Sequence, residues 1–436
     1  MRSLHIAMGL AATAGILCWS VVTRPGEAVA SCSSDEWITR APMPTARPNC
    51  GAVAIDGQLY VVGGSTRAGP TGALEVYDPA TDSWATMASM PTPRTAFACV
   101  EVGGVLFAIG GADGPSTVTG KVEAYDPTSN SWSTRAPMPT ARHSPAAAVV
   151  GTRIYVCGGD ILSTNVATVE VYDTLTDSWS TVASMPTVRD DARAAAVGGI
   201  VYVFGGYPES GAATTAVEAY NPSSNSWTTR APMPTPRADF GIGVVRGEVY
   251  VVGGRSHLRE GGPLSGMAVY NPTTNAWRTG ASMPTARAAV GSAVLGEGLF
   301  VAGGFDGVDG TAIYATLEVF GGAFPPNLTV SGVPAELWPA NHKLVRILPT
   351  VTVSDDCDPA PVVTVSVSSS EPDDGLGDGD TAGDIVIHSP TDIELRAERS
   401  GQGSGRNYTL TWTATDSSGN SSTFTVLVRV PKSQGR

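Results

Sequence analysis

The chain has 436 residues, among them 51 glycines and 32 prolines, and a formal net charge of −13. So many turn-formers exclude a fold of long helices and point to an all-β protein of more than one domain. The acidic balance repels phosphate backbones and anionic lipid, which excludes nucleic acid as a partner class.

The first thirty residues stand apart. Arg2 heads the chain, an apolar run extends from Ala7 to Val22, and Ala28-Val29-Ala30 offers small residues for cleavage before Ser31. That is the pattern of a secretory signal peptide over residues 1–30. The run is shorter than the ~20 residues a spanning helix needs, and no later segment approaches that length. The expected product is therefore a monomeric protein, secreted or at the cell surface, with no transmembrane segment. Five cysteines remain after cleavage, at positions 32, 50, 99, 157 and 357. Export permits disulfides, but the spacing does not pair these residues, and no CxxC or His/Cys cluster suggests zinc.

From residue 37 the sequence repeats. Trp37, Trp84, Trp132, Trp179, Trp227 and Trp277 each precede a phrase of the type "RAPMPTAR" or "ASMPTPR". A period near 50 residues indicates a propeller or another array. Within the first unit, Gly51–Ile55 reads as a strand, Asp56-Gly57 as a turn, and Gln58–Val62 as a returning strand ended by Gly63-Gly64. Leu74–Tyr77 and Trp84–Met87 supply a third and a fourth, making a four-stranded meander. The phrase alternates between two spellings, which suggests a two-blade unit copied three times. The pattern "LYVVGG … LEVYDP … DSW … MPTPR" resembles the kelch repeat, and the resemblance implies a six-bladed β-propeller over residues 31–321.

The last unit lacks a fourth-strand tryptophan, while Trp37 has no blade before it. Placing Asp35–Arg40 beside Thr316–Phe320 closes the ring. Each tryptophan is expected to pack between neighbouring sheets, contributing up to roughly 5 kcal/mol for about 200 Å² buried. The arginine ending each phrase is matched by a third-strand glutamate (Glu75, Glu123, Glu170, Glu218, Glu318), except that Ala268 stands in the fifth copy. A group needed identically in every blade reads as a structural ion pair, because catalysis requires an asymmetric constellation.

Asymmetry begins just after each phrase and after each double glycine. In a meander these two loop sets share one mouth of the channel, and there the copies diverge. His143, Asp190, Asp191 and Asp239 follow the phrases. Tyr207, Glu209, Arg255 and His257 follow the glycines. Kelch relatives commonly bind peptides or sugars on this face, so the resemblance implies that these eight residues form a polar pocket for an extracellular glycan or peptide. The other reading of these residues is solvated loop charge.

Two enzyme classes also resemble the pattern. A sugar epimerase would draw acid and base groups from His143, Asp190, Asp191 and Glu209. A copper sugar oxidase needs converging histidines, tyrosines and a cysteine, and this sequence has no Tyr-His pair and places Cys50, Cys99 and Cys157 in strands. The epimerase is the stronger of the two, and a binding protein without catalytic residues is stronger than either.

After "AFPP" the period ends. Residues 322–436 carry β-rich runs at 344–354, 362–369, 384–388, 392–398, 408–416 and 423–430, as in a β-sandwich. "YTLTWTATDSSGNSSTFTVLVRV" resembles the closing hairpin of hyalin-repeat and related immunoglobulin-like domains of secreted proteins. In "EPDDGLGDGDTAGD", Asp373, Asp374, Asp378, Asp380 and Asp384 are glycine-spaced carboxylates of the kind that wraps calcium, and Asp355, Asp356 and Asp358 precede them. The spacing is not that of an EF-hand, and a solvated acidic loop is the alternative.

Overall fold

Paired turn residues make each repeat a meander, and its two middle strands, apolar along most of their length, are buried on both faces. In the first blade the strands Gly51–Ile55, Gln58–Val62, Leu74–Asp78 and Ser83–Met87 pair in sequence order. Asp56 and Gly57 join the first two with φ of 48° and 78°, the left-handed pair a tight hairpin requires. The computed structural model describes residues 17–19, 36–257, 262–306, 312–321, 326–339, 343–355, 358, 360–371, 383–397, 405–416 and 421–431. Among them there is no helix, and so none long and apolar enough to cross a membrane. The chain divides into a propeller unit, Ser33–Gly322, and a second unit that contains Ala323–Arg436.

The propeller has six four-stranded sheets. The sixth is built from Gly291–Leu295, Gly298–Ala302, Leu317–Phe320 and, on its outer edge, Trp37–Arg40. Trp37 lies opposite Phe320 and Arg40 opposite Leu317, so the start of the unit completes its last blade.

The repeated phrase is the joint between blades. Its alanine uses both backbone groups: Ala136 N–H donates 2.8 Å to Asp177 Oδ1, and its carbonyl accepts from Trp179 Nε1 at 2.9 Å. The same pair of bonds joins Ala88 to Asn130 and Trp132, and Ala183 to Asn225 and Trp227. The Asp or Asn involved sits at positive φ and also accepts its blade's tyrosine hydroxyl, as Asp177 does from Tyr172 at 2.6 Å. The tryptophans thus work as directional staples. They are half-buried rather than sealed between sheets, so their apolar contribution falls below the expected figure. The methionine of each phrase is buried, and its N–H binds the loop between strands two and three, as in Met138 to Gly120 O at 2.7 Å.

The terminal arginines are buried. Arg94 Nη2 meets Glu123 Oε2 at 2.8 Å, and Arg94 also donates to the carbonyls of Ala108, Gly110 and Lys121. Thr92, two residues earlier in the phrase, donates to the same glutamate at 2.8 Å. The ion pair recurs in every blade but the fifth. The glycines after strand two follow from this joint. A Cβ on Gly205 would stand 2.2 Å from Arg237 O, and Gly206 N–H donates to that same carbonyl at 3.0 Å.

In the second unit, Val362–Ser369, Gly405–Thr415 and Ser421–Pro431 form an antiparallel sheet. Leu344–Ile347, Asp392–Arg396 and Ile385–Ser389 form another, and Asn327–Ser331 pairs with Thr350–Ser354. Strict alternation along Gly405–Thr415 buries Tyr408, Leu410 and Trp412 against Ile393, Leu395 and Val428. The run read as one strand at 344–354 is two. Pro349 lacks the N–H a ladder needs, and the chain changes sheet there. The strand at 327–331 escaped the sequence reading. Of the segment read as a signal, Leu17–Trp19 is described, and it pairs antiparallel with Val365–Val367.

Candidate functional site

Six residues of positive φ, one after the start of each inter-blade link, encircle the channel end where the two loop sets gather: Asn49, Ala96, Ser144, Asp191, Asp239 and Ala289. Each N–H donates to the carbonyl of its predecessor, in a closed cycle with distances of 2.6–3.2 Å that ends with Asn49 N–H on Ala289 O. Adjacent Cα atoms in such contact are about 5 Å apart, so a six-membered ring has a radius of about 5 Å at Cα. It admits water or a small ion but not a sugar ring.

Outside this ring, the residue that precedes each ring member pairs with the residue after the double glycine. His143 exchanges two backbone bonds with Asp160, Asp190 with Tyr207, Ala238 with Arg255, and Ala288 with Phe305. The mouth is therefore two-sided. Blades three to five contribute charge, whereas blades six, one and two place the uncharged residues Ala288, Phe305, Pro48, Ser65, Thr95 and Ala112 at the same positions.

The charged side is crowded with carboxylates. Asp190 Oδ1 accepts from Asn165 Nδ2 at 3.2 Å, and Asn165 also donates to Tyr207 O at 2.9 Å. Burial, then the charges of Asp160 and Asp239, push the Asp190 carboxyl up to about 7. Asp191 is raised well above the carboxylate range by burial and by Asp239 and Asp190, against the Ser144 hydroxyl and Arg193. It keeps part of its surface toward the channel although protein surrounds it. Asp239 is buried and held by Arg255, whose Nη2 lies 2.8 Å from Oδ2. The Arg255 guanidinium also sits 5.8 Å from the Tyr207 ring and 5.2 Å from the Phe305 ring.

Tyr207 is 1 % exposed and its hydroxyl has no hydrogen-bond partner among the described residues, an expensive state for a buried polar group. His143 accepts or donates at Nδ1 to Ser144 Oγ, 3.1 Å away, and its Nε2 is 3.8 Å from Asp160 Oδ2. Burial lowers its pKa, with Asp160 opposing.

Below the ring, the first strands of the blades line a cavity of about 400 Å³. Its walls are mostly alanine, valine and glycine, with Cys50, Cys99, Glu101 and Arg193 among them. Cys50, Cys99 and Cys157 are free thiols, and burial raises the pKa of each.

The structure brings Asp190, Asp191, Tyr207, Asp239 and Arg255 together, and joins His143 to them through Asp160. Glu209 and His257 stand at the exposed rim, where Glu209 accepts from the Thr164 hydroxyl and His257 Nδ1 lies 3.1 Å from Ser256 Oγ. Asn165 escaped the sequence reading, because it lies in a loop of blade three and acts on blade four. Asp160 occupies the variable position after a double glycine, and its pairing with His143 identifies its role.

In the second unit, Asp373, Asp374, Asp378 and Asp380 lie outside the described residues. Asp384 is buried and engaged by two arginines: Arg396 Nε donates to Oδ1 at 3.0 Å and Arg406 Nη1 donates to Oδ2. Its carboxylate thus faces guanidinium groups.

The family described as the Attractin/LZTR1 beta-propeller matches residues 59–313. Among solved structures, the one titled "Structure of YjhT" is 19% identical to this chain, with a TM-score of 0.55. The match covers 64% of this chain and 96% of the other. At that identity the likeness shows the fold. No curated protein sequence matches.

Proposed function

The chain belongs to the Attractin/LZTR1 family of kelch-type β-propellers, and from that premise we propose that it is a secreted binding protein whose channel mouth captures a cationic group of an extracellular peptide. A kelch propeller is an interaction scaffold, but fold alone does not select a ligand. The observation that carries this reading is the convergence of Asp160, Asp190 and Asp191, whose basic neighbours among the described residues are occupied elsewhere or held neutral: Arg255 is committed to Asp239, Arg193 donates to Phe240 O, and burial lowers the pKa of His143. A lysine, arginine or terminal amine entering there would relieve carboxylate repulsion. The uncharged side of the mouth would hold the rest of the peptide, and Tyr207 would gain a partner for its hydroxyl.

The mechanism has a pH signature. Asp190 titrates near 7, so a cation entering below that pH must first displace a proton. Arrays of basic peptides and of glycans, probed with the purified protein at pH 6 and pH 8, test the proposal. Basic peptides should bind more tightly at pH 8, by up to about tenfold per unit below the pKa. Asp190→Asn and Asp191→Asn should each remove most of that gain. Neutral glycan hits indifferent to pH and to both substitutions would move the ligand elsewhere. Including calcium and then a chelator tests whether the 371–384 loop contributes. Export is tested by sequencing the N-terminus of protein recovered from culture medium, where Ser31 should be the first residue.

A second reading has its own observation. A carboxyl titrating near neutrality beside a histidine and an unpartnered tyrosine hydroxyl can exchange protons with substrate, as a sugar epimerase requires. Deuterium incorporation into a sugar C–H bond, lost in Asp190→Asn, would establish it.

A further inference from the structure

Arg237 differs from its five counterparts in what faces it. Elsewhere the guanidinium meets a glutamate at 2.8–3.1 Å. In the fifth blade that strand position is Ala268, opposite Val251 and Thr279 just as Glu75 lies opposite Val61 and Thr86. The register is unchanged, so the alanine Cβ stands where a glutamate side chain would begin.

Arg237 itself has not moved away. It donates to Gly253 O at 3.2 Å and Gly266 O at 2.8 Å, the same two bonds that Arg287 makes to Gly303 and Thr316. Arg287 adds bonds from Nη2 to Glu318 and Val301 O. Arg237 makes neither among the described residues, while its Nε lacks a partner just as those of Arg47, Arg142, Arg189 and Arg287 do. Burial alone lowers its pKa to about 10.

Ala268 shares an apolar cluster with Phe204, Met233 and Phe240, and the arginine beside it keeps a trace of solvent access. Arg237 is 3 % exposed where Arg47, Arg94, Arg142, Arg189 and Arg287 are each 0 %, and Ala268 retains 5 %. In blades two, three, four and six the threonine of the phrase donates to the glutamate, as Thr187 does to Glu218 at 2.7 Å and Thr285 to Glu318 at 2.6 Å. Thr235 occupies that position here with no carboxylate to receive its proton. A buried cation without a counter-charge is strongly unfavourable, and charge-assisted bonds to an anion are the direct remedy.

We infer that the fifth blade binds a small monovalent anion of the halide class, held by the guanidinium of Arg237 and the hydroxyl of Thr235 in the volume left by Ala268. The ion does there what a covalently attached carboxylate does in five other blades. The ion's small size and single charge match a vacancy made by one side chain.

Melting temperature measured in sodium bromide against sodium gluconate, at constant ionic strength, reads this out. The wild-type protein should gain on the order of 2–4 °C, saturably with bromide. Ala268→Glu, which restores the counter-charge, should melt higher in gluconate and show no bromide dependence. Arg237→Met, which removes the cation, should also lose that dependence and covers the case in which the glutamate variant does not fold. A bromide-soaked crystal of the wild-type protein should show anomalous density beside the Arg237 guanidinium. Equal bromide responses in wild type and Arg237→Met, or an empty site at saturating bromide, would overturn the assignment.

Discussion

Asp190 holds a proton that an ordinary aspartate has lost, and this has a consequence for stability as well as binding. Its folded pKa, about 7, lies above its unfolded value. Between about pH 4 and 7 the native state therefore binds the extra proton, and stability falls as pH rises through that window, levelling above it. Asp190→Asn should flatten this slope and stabilise the protein at pH 8 by about 1–2 kcal/mol. Thermal melts of both proteins from pH 4 to 9 check this, and parallel curves would show that Asp190 is ionised throughout. The residue was visible in the sequence as a departure from the repeat. Its altered acidity was not, since Asp160 and Asp239, thirty and forty-nine positions away in the chain, raise it only after the ring closes.

The blade is legible almost letter by letter, because its contacts recur from blade to blade, the ion pair in five of the six, and the spacing never drifts far. Arginine and glutamate were readable as a structural pair, the threonine that binds the same glutamate was not, and the joint made by alanine and tryptophan explains why the phrase is repeated verbatim. Removing one member should be costly. Glu170→Ala leaves Arg142 buried and unpaired, and destabilisation of about 3–5 kcal/mol is expected from denaturant melts. Thr140→Val, which deletes the 2.9 Å bond to the same glutamate, should cost about 1 kcal/mol. Where copies diverge, sequence pattern stops informing. The contact of Asn165 with Asp190 crosses between blades and follows no period, and the sheet change at Pro349 has no repeat to reveal it.

At the scale of the whole molecule, the propeller depends on a strand four residues long, Trp37–Arg40, borrowed from the beginning of the unit. A chain beginning at Ala41 would leave Leu317–Phe320 as an unpaired edge, and the Trp37 bond to Ala281 O would be gone. Such a chain should self-associate, as judged by light scattering, and should unfold over a broader temperature range in calorimetry. A monomer with an unchanged melting profile would show that five complete blades and one short one suffice.

The cycle of peptide bonds at Asn49, Ala96, Ser144, Asp191, Asp239 and Ala289 sets a limit on how this mouth can change. Its aperture is a property of main chain, so no exchange of side chains can widen it. New specificities can be written only on the walls above, in whatever follows the phrases and the double glycines. Depth is fixed while chemistry is free, which makes the propeller a shallow dish with an interchangeable rim.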